Sequence, residues 1–276
     1  MTKPLFLPRY DTEAAEVEEM AGFLEKAVEI HRRHEIPATF FCTGRALEAR
    51  RDQFREFRAE VRNDPLFDLQ DHSYSHIGIG YESNPPLDTT KADYERSFDV
   101  HESVFGKRPV AVSLCGTGGR DGKRLAGFDA SDKAKREFEM LAGLGVKAVN
   151  CFLTGVKKDR EFCSFARLGH PDIMGFPSAL CDTNWMVWKD PADWQWKCRE
   201  PFEPVADGIV EQIRERGRAG IHTPLLMHDW AAWKMAPGRN LDHVVTFAAA
   251  AVEAGFELVT HMQCYERPHL WAGEPR

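Results

Sequence analysis

The sequence predicts an α/β fold, a distorted (β/α) barrel of about seven to eight parallel strands. Short β-like apolar runs alternate with amphipathic helical stretches along all 276 residues. Such alternation is typical of parallel strands with helices packed outside them. The chain contains no Pro/Ser-rich linker, internal repeat or low-complexity tract. We therefore predict a single domain over residues 1–276.

Eight apolar runs are the strand candidates, and this number fits a barrel. They are Leu5 to Leu7, Ala38 to Cys42, Leu66 to Leu69, Val110 to Leu114, Val146 to Phe152, Ile173 to Phe176, Leu225 to Met227 and Phe256 to Val259. Helical stretches lie between them. In residues 13–35 the core-facing candidates recur at intervals of three and four; they are Val17, Met20, Leu24, Ala27 and His31.

Composition and charge exclude several classes of function. The formal net charge of -7, without a long Lys/Arg run, argues against nucleic acid or an anionic membrane surface as the partner. Seven scattered cysteines without a C-x-x-C pair indicate reduced thiols. The N-terminus lacks a signal-peptide core, and no segment approaches the ~18 apolar residues of a membrane helix. These features predict a cytoplasmic protein whose substrate is not a polyanion.

Polar residues and glycines follow the predicted strands at their carboxyl ends. In a parallel barrel these ends form one face, where such folds hold active sites. The sequence therefore predicts that these residues converge. They are Asp11 and Glu13 after the first strand, His72 and His76 after the third, residues 116–119 after the fourth, and His228 after the seventh.

His72 and His76 lie four residues apart in 71-DHSYSH-76. On a helical turn, positions i and i+4 share a face, so both imidazoles could reach one metal ion. Two histidines with a carboxylate and an open position form a catalytic zinc arrangement, and Glu13 is the natural third ligand. The alternative is an ordinary surface or core histidine pair, since the chain has eleven histidines.

The acidic pair in 9-RYDTE-13 projects to one side if the strand runs on, so one carboxylate can bind metal while the other handles protons. The alternative is that Asp11 and Glu13 cap the following helix. His228 emerges from the run 225-LLMHDW-230 and could protonate a leaving group. Its alternative is a hydrogen-bonded histidine at the barrel rim.

These elements together resemble the polysaccharide deacetylase family, the NodB-like carbohydrate esterases. In that family the first motif supplies a base aspartate and a metal-binding carboxylate, the second reads H-[ST]-x-x-H, and the last reads L-x-H with the acid histidine. Here 10-YDTE-13, 72-HSYSH-76 and 226-LMH-228 match in order. Residues 37–44 and 241–260 are also similar to family segments, so the resemblance covers nearly the whole chain.

The resemblance implies a divalent metal, zinc, held by Glu13, His72 and His76, with Asp11 as the base and His228 as the acid. The opposite assignment of Asp11 and Glu13 stays open. The family usually has adjacent aspartates in its first motif, whereas D-x-E is found in its deformylase-like branch.

One family motif is missing, because 112-VSLCGTGGR-120 has Ser113 where an arginine would fall. Arg9 or Arg120 could orient the base instead. The glycine-rich residues 116–119 could offer N–H groups to an oxyanion, although such segments are usually only turns.

Four of the seven tryptophans fall in 185-WMVWKDPADWQW-196. The stretch 190-DPADW-194 resembles the family's D-x-x-D-W motif, which implies a supporting role for Asp193 and a pocket wall at Trp194. Trp185 and Trp230 are further substrate-binding candidates, because indoles stack on sugar faces. A packed flap is the alternative for these aromatic residues.

The resemblance implies a metal-dependent hydrolase that removes an N-acyl group from an amino sugar or a related small amide. One alternative is a cyclic amide or ureide hydrolase, because 177-PSALCDTNWM-186 resembles the pocket segment of allantoinase-like members. The other is a metal- or sugar-binding homologue that lost its catalysis together with the motif arginine.

Overall fold

The computed structural model describes residues 3–15, 17–79, 85–115, 132–150, 162–176, 179–236, 238 and 240–272. Several residues considered above fall outside these ranges. They are residues 116–119, Arg120, residues 151–152 and residues 177–178.

A mostly parallel sheet forms the centre of the molecule. The strands are β1 (Leu5–Thr12), β2 (Ala38–Cys42), β3 (Phe67–Asp71), β4 (Ala111–Ser113), β5 (Ala148–Asn150), β6 (Cys163–Phe165), β7 (His170–Phe176), β8 (Leu180–Cys181), β9 (Val187–Lys189), β10 (Trp196–Cys198), β11 (Thr223–His228) and β12 (Glu257–Leu258). Their order across the sheet is β6-β7-β5-β4-β3-β2-β1-β11-β8, and β12 also pairs with β1. Strands β9 and β10 form a separate antiparallel hairpin.

Helices connect the strands. They are α1 (Val17–Arg33), α2 (Gly44–Ala49), α3 (Arg51–Glu60), α4 (Leu87–Phe105), α5 (Asp132–Gly143), α6 (Asp182–Trp185), α7 (Phe202–Arg218), α8 (Asp242–Glu253) and α9 (His261–Tyr265). A π-helical turn spans Trp230–Met235, and short 3₁₀ turns span Ala166–Leu168 and Pro268–Leu270. In the part of the chain that the structure describes, no helix has the length and apolarity needed to cross a membrane.

The predicted α/β class is confirmed. Each of the eight predicted runs contains or overlaps a strand, and the sheet pairs are parallel except for β6 with β7. The additional strands β6, β8, β9 and β10 span only two or three residues each, which is too short for a recognisable alternation in the sequence. Among the described strands the path is open between β6 and β8.

Helix α1 packs on the central strands with the face that the sequence predicts. Met20, Leu24, Ala27 and His31 are all buried there. Burying each large apolar side chain contributes about 1.5–3 kcal/mol. Strand β1 lies between β2 and β11, and all eight of its residues are buried. The charged side chains of Arg9 and Asp11 therefore lie inside the fold, where they need partners.

Candidate active site

Strand register brings the predicted site residues to one end of the sheet. Asp11 of β1 is opposite His228 of β11 on one side and Phe41 of β2 on the other. Cys42, at the end of β2, is opposite Asp71, at the end of β3. Because these strands are parallel, the residues that follow them emerge at the same edge.

A single oxygen atom of Glu13 contacts both histidines of the H-x-x-x-H motif. Glu13 Oε1 lies 3.1 Å from Nε2 of His72 and 3.2 Å from Nε2 of His76. These separations are close to those between ligand atoms around one tetrahedral zinc ion, whose bonds to nitrogen and oxygen are about 2.0–2.2 Å long. The three side chains can therefore surround one divalent cation.

The two histidines converge through a loop, and the helical turn expected for them is not formed. Ser73 and His76 have φ angles of 59° and 60°, in the left-handed region that non-glycine residues rarely occupy. Asp71 accepts a hydrogen bond from the backbone N–H of Ser73 at 2.7 Å, and Asp93 accepts one from Tyr74 at 2.8 Å. These carboxylates hold the loop in the shape that turns both imidazoles towards Glu13.

Hydrogen bonding fixes the orientation of His72. Its Nδ1 lies 2.8 Å from the carbonyl oxygen of Ser113, so Nδ1–H donates there and Nε2 faces Glu13. Burial raises the pKa of Glu13, but hydrogen bonds from His72 and His76 outweigh it and hold that pKa well below its usual range. The carboxylate is therefore ionised, as metal binding requires.

Cys115 adds a thiol beside this site. Its Sγ lies 3.7 Å from Nδ1 and 3.8 Å from Nε2 of His72. Two nearly equal distances place the sulfur away from the direction of the Nε2 lone pair. Although Cys115 belongs to a cluster with His72 and His76, its position suits packing against the imidazole and not coordination of the same ion.

Asp11 is buried, with one hydrogen-bond donor and one cation beside its carboxylate. Ser113 Oγ donates to Oδ2 at 3.2 Å, and Arg9 Nη1 lies 3.5 Å from Oδ1. The same nitrogen of Arg9 donates to Ser113 Oγ at 2.7 Å. Asp11 Oδ2 is also 3.6 Å from His72 Nε2. Arg9, which the sequence offered as one of two substitutes for the missing motif arginine, thus reaches both Asp11 and the serine at the motif position.

His228 is held by an aspartate that was not among the predicted site residues. Asp182 is fully buried and accepts hydrogen bonds from Nδ1–H of His228 at 2.7 Å and from its backbone N–H at 2.5 Å. Nε2 of His228 points the other way, 3.9 Å from Glu13 Oε1. Burial lowers the pKa of His228, but Asp182, Glu13 and Asp11 outweigh it and raise the pKa to about 9.

A second buried carboxylate, Asp229, fixes the segment that carries Glu13. It accepts hydrogen bonds from the backbone N–H groups of Glu13 at 3.1 Å and Ala14 at 2.9 Å. The sequence contained signals for both aspartates, since Asp182 follows a short apolar run and Asp229 follows His228. Neither signal indicates a partner, because each contact joins segments far apart in the chain.

A cavity of about 450 Å³ opens beside Glu13 and His76. This volume lies within the usual range of small-molecule sites. Its wall consists of Glu13, Ala14, Ala15, Glu19, Thr43, Arg45, Tyr74, Ser75, His76 and Trp230. Trp230 Nε1 donates to Glu13 Oε2 at 3.4 Å, so the predicted substrate-binding indole adjoins the proposed metal ligand.

The other substrate-binding candidates do not line this cavity. Trp185 is 9% exposed and packs against Phe247 with ring centroids 5.3 Å apart, because the short helix α6 turns its indole into the core. Asp193 lies in the turn between β9 and β10, where it pairs with Lys197 at 3.0 Å. Trp194, in the same turn, is 65% exposed.

The β9–β10 hairpin nevertheless adjoins the cavity wall. The ring centroids of Trp196 and Trp230 are 5.5 Å apart, and those of Trp230 and His228 are 5.2 Å apart. The hairpin therefore carries the exposed Trp194 on an element that packs beside the site.

Comparisons with known proteins give a family profile for part of the chain and several structures of similar fold. Residues 11–135 match the sequence profile of the polysaccharide deacetylase family. A protein from Mycobacterium smegmatis, provisionally described as a polysaccharide deacetylase, is 14% identical, with 97% of this chain and 90% of that chain covered and a TM-score of 0.68. A search of the curated proteins gives no significant match.

Two further structures share the fold. The Puue allantoinase is 12% identical, with 99% of this chain and 92% of that chain covered and a TM-score of 0.66. A CE4 family pseudoenzyme from Bacillus anthracis is 13% identical, with 96% of this chain and 66% of that chain covered and a TM-score of 0.56. Residues 11–135 thus match the polysaccharide deacetylase profile, and the fold of the chain is similar to that of solved members of this family and of an allantoinase.

Proposed function

We propose that this protein is a metal-dependent hydrolase that removes an N-acyl group from an amino sugar or a related small amide. The contact of one Glu13 oxygen with both His72 and His76 carries the proposal. It supplies the two-histidine, one-carboxylate donor set of catalytic zinc sites. The match of residues 11–135 to the polysaccharide deacetylase profile supports amide hydrolysis as the reaction class.

Zinc is the proposed ion, because imidazole nitrogen and carboxylate oxygen suit its borderline softness. Glu13, His72 and His76 would hold it. Glu13 is preferred to Asp11 as the ligand, because its Oε1 reaches both histidines, whereas Asp11 Oδ2 lies 3.6 Å from His72. When bound, the ion would supply Lewis-acid polarisation of the acyl carbonyl.

Asp11 is the proposed general base. Its carboxylate faces His72 and is oriented by Ser113 and Arg9. As water attacks the acyl carbon, Asp11 accepts a proton from it. The guanidinium of Arg9 is the positively charged partner of the buried Asp11 carboxylate and holds that carboxylate in one position.

His228 is the proposed general acid. Asp182 fixes Nδ1 and leaves Nε2 directed at the site, and a pKa of about 9 keeps the imidazole protonated at neutral pH. When the C–N bond breaks, Nε2–H passes its proton to the departing nitrogen. The products are a carboxylic acid and the free amine, so one water molecule balances the reaction.

A cyclic amide or ureide hydrolase is the second candidate. It is favoured by the polar and charged side chains of the cavity wall, because a flat ring amide needs partners for each N–H and C=O. The indole of Trp230 favours the sugar, whose apolar face can stack on it. A homologue without catalysis is disfavoured, since Arg9 lies beside Asp11 despite the missing motif arginine.

A substrate screen of the metal-free and zinc-loaded protein tests this function. We expect the zinc-loaded protein to release carboxylic acid from N-acetylated or N-formylated amino sugars, and Glu13→Gln to abolish this release. Glu29→Gln is the matched control, because Glu29 is partly exposed on α1, away from the cavity wall, and pairs with Lys26 and Arg33. Turnover of ring ureides alone would favour the second candidate, and no turnover in the whole screen would overturn the proposal.

A further inference from the structure

Arg45 is a charged side chain in the cavity wall whose role the proposed reaction does not explain. It lines the same cavity as Glu13 and His76. Among the residues that the structure describes, its guanidinium has neither an ion pair nor a hydrogen bond. Arg45 is exposed to solvent, and its guanidinium carries five N–H donors at the edge of a cavity of about 450 Å³.

The neighbouring polar groups of the wall are already engaged. Tyr74 Oη donates to Glu48 Oε2 at 2.6 Å, and Ser75 Oγ donates to Asp93 at 2.5 Å. Glu48, three residues after Arg45 on α2, also accepts from Arg96 at 2.9 Å. Glu48 is thus engaged by Tyr74 and Arg96 and does not pair with Arg45.

The backbone of Arg45 is attached to the loop that carries the two histidines. The backbone N–H of Arg45 donates to the carbonyl oxygen of Tyr74 at 3.0 Å. The backbone N–H of Gly44 donates to the carbonyl oxygen of Ser73 at 2.9 Å. A side chain at Gly44 could not fit, because its Cβ would lie 2.7 Å from the Tyr74 ring. Close packing of Gly44 on Tyr74 therefore fixes the origin of the Arg45 side chain relative to His72 and His76.

We propose that Arg45 binds an anionic substituent, a carboxylate or a phosphate, on the amino-sugar substrate. A planar guanidinium matches either group through paired, charge-assisted hydrogen bonds. Glu13 and Glu19 also line the cavity, so that the wall suits one anionic group and not a polyanion. The inference rests on the proposed N-acyl hydrolysis and specifies its substrate class.

Two acidic substrates and a neutral one distinguish the source of the anion. The probes are N-acetylglucosamine 1-phosphate, N-acetylmuramic acid and N-acetylglucosamine, tested on wild type, Arg45→Gln, Arg45→Lys and Arg33→Gln. Arg33 is the matched control, since it is exposed on α1 and pairs with Glu29. Circular dichroism verifies that each variant is folded.

We expect the wild type to have a higher kcat/KM on at least one acidic sugar than on the neutral sugar. Arg45→Gln should lower that kcat/KM by on the order of 10-fold to 100-fold, mainly through KM, and change the neutral sugar by less than about 3-fold. Arg45→Lys should have a kcat/KM between those of wild type and Arg45→Gln. Lysine keeps the positive charge but lacks the planar guanidinium that forms paired hydrogen bonds. Arg33→Gln should match the wild type.

Calorimetric binding of glucosamine 1-phosphate and muramic acid separates this inference from the proposed reaction. Binding that weakens in Arg45→Gln and not in Arg33→Gln supports the anion site even if no N-acyl sugar is hydrolysed, in which case only the proposed function fails. Equal loss on neutral and acidic sugars, or equal binding by the two variants, overturns the role of Arg45.

Discussion

Arg9 on β1 donates a hydrogen bond to the Ser113 hydroxyl on β4 at 2.7 Å, across 104 positions of the chain. The same guanidinium nitrogen lies 3.5 Å from Asp11, and both charged groups are buried. One strand therefore carries the proposed base and the cation beside it. Ser113 occupies the position at which the resembled family has its arginine, and its short side chain lies in contact with the guanidinium.

This arrangement predicts that Arg9 positions Asp11. Arg9→Met should lower kcat by on the order of 10-fold to 100-fold with little change in KM, because the base loses its orientation. Removing one partner of a buried ion pair also costs about 3–5 kcal/mol of stability. Steady-state kinetics and thermal unfolding measure both effects. Arg9→Lys should recover part of each, and a normal kcat in folded Arg9→Met would show that Asp11 needs no cation.

The contact of Asp182 with His228 predicts a defined pH dependence. The proposed mechanism requires protonated His228, so the rate should fall as the pH rises through the pKa of His228, which Asp182 and the neighbouring carboxylates raise to about 9. A bound cation lowers that value. Asp182→Asn removes the main group that raises the pKa, so the alkaline limb should move to lower pH. A pH profile of kcat whose alkaline limb is unchanged in Asp182→Asn would contradict the role of this pair.

The exposed indole of Trp194 predicts a contribution to sugar binding. Stacking is worth about 0.5–1.5 kcal/mol, so Trp194→Ala should raise KM for N-acetylated sugars by roughly 3-fold to 10-fold and leave kcat nearly unchanged. Trp188→Ala is the control, because Trp188 is 36% exposed on the same hairpin. Indistinguishable kinetics in the two variants would mean that the turn of the hairpin does not contact substrate.

Buried His31 predicts sensitivity of the fold to acid. Its Nδ1–H donates to the carbonyl oxygen of Ile36 at 2.7 Å, and Nε2 accepts from Tyr10 Oη at 2.9 Å, so the ring is neutral. Burial lowers its pKa from 6.5 to about 4. Between these values the unfolded chain binds a proton that the folded chain does not, so the free energy of unfolding should fall as the pH falls through this window.

His31→Gln isolates this contribution, because glutamine can form both hydrogen bonds and cannot be protonated there. Denaturant unfolding from pH 7 to pH 4 should give a shallower loss of stability in His31→Gln than in wild type. His34→Gln, at an exposed position just after the same helix, should behave as wild type. Equal slopes in all three proteins would show that His31 does not contribute to the acid sensitivity.

The sequence predicts the strands of the sheet well, because a buried strand appears in the sequence as a short continuous run of apolar residues. It also predicts that Asp11, Glu13, His72, His76 and His228 meet, since parallel strands align their carboxyl ends. The reason proposed for the histidine pair was incorrect, because Ser73 and His76 adopt positive φ angles and form a loop. The hydrogen bonds from Asp71 and Asp93 that hold this loop are tertiary contacts, which no local pattern records.

Partner identity is the part of the site that the sequence could not supply. In the sequence, Asp182 is one acidic residue in a short segment, and no local pattern indicates its partner. Its proposed role comes from its hydrogen bond with His228, which lies 46 positions away. The position of Trp185 in a tryptophan-rich segment predicts a substrate contact, yet the direction of α6 places its indole in the core. Which aromatic residue reaches a cavity depends on side-chain direction, and composition does not determine that direction.

Zinc titration of the metal-free protein, with bound metal and released acetate measured on the same samples, tests the central claim most directly. For the wild type with an N-acetylated amino sugar, acetate release should rise to a plateau at one zinc per chain. His72→Ala and His76→Ala should each lose most of the bound zinc and the activity, because two remaining protein ligands rarely hold the ion. His228→Ala should bind zinc normally and lose on the order of 10²-fold to 10⁴-fold in kcat. Full zinc occupancy in both His72→Ala and His76→Ala, or hydrolysis that is independent of zinc, would contradict the account.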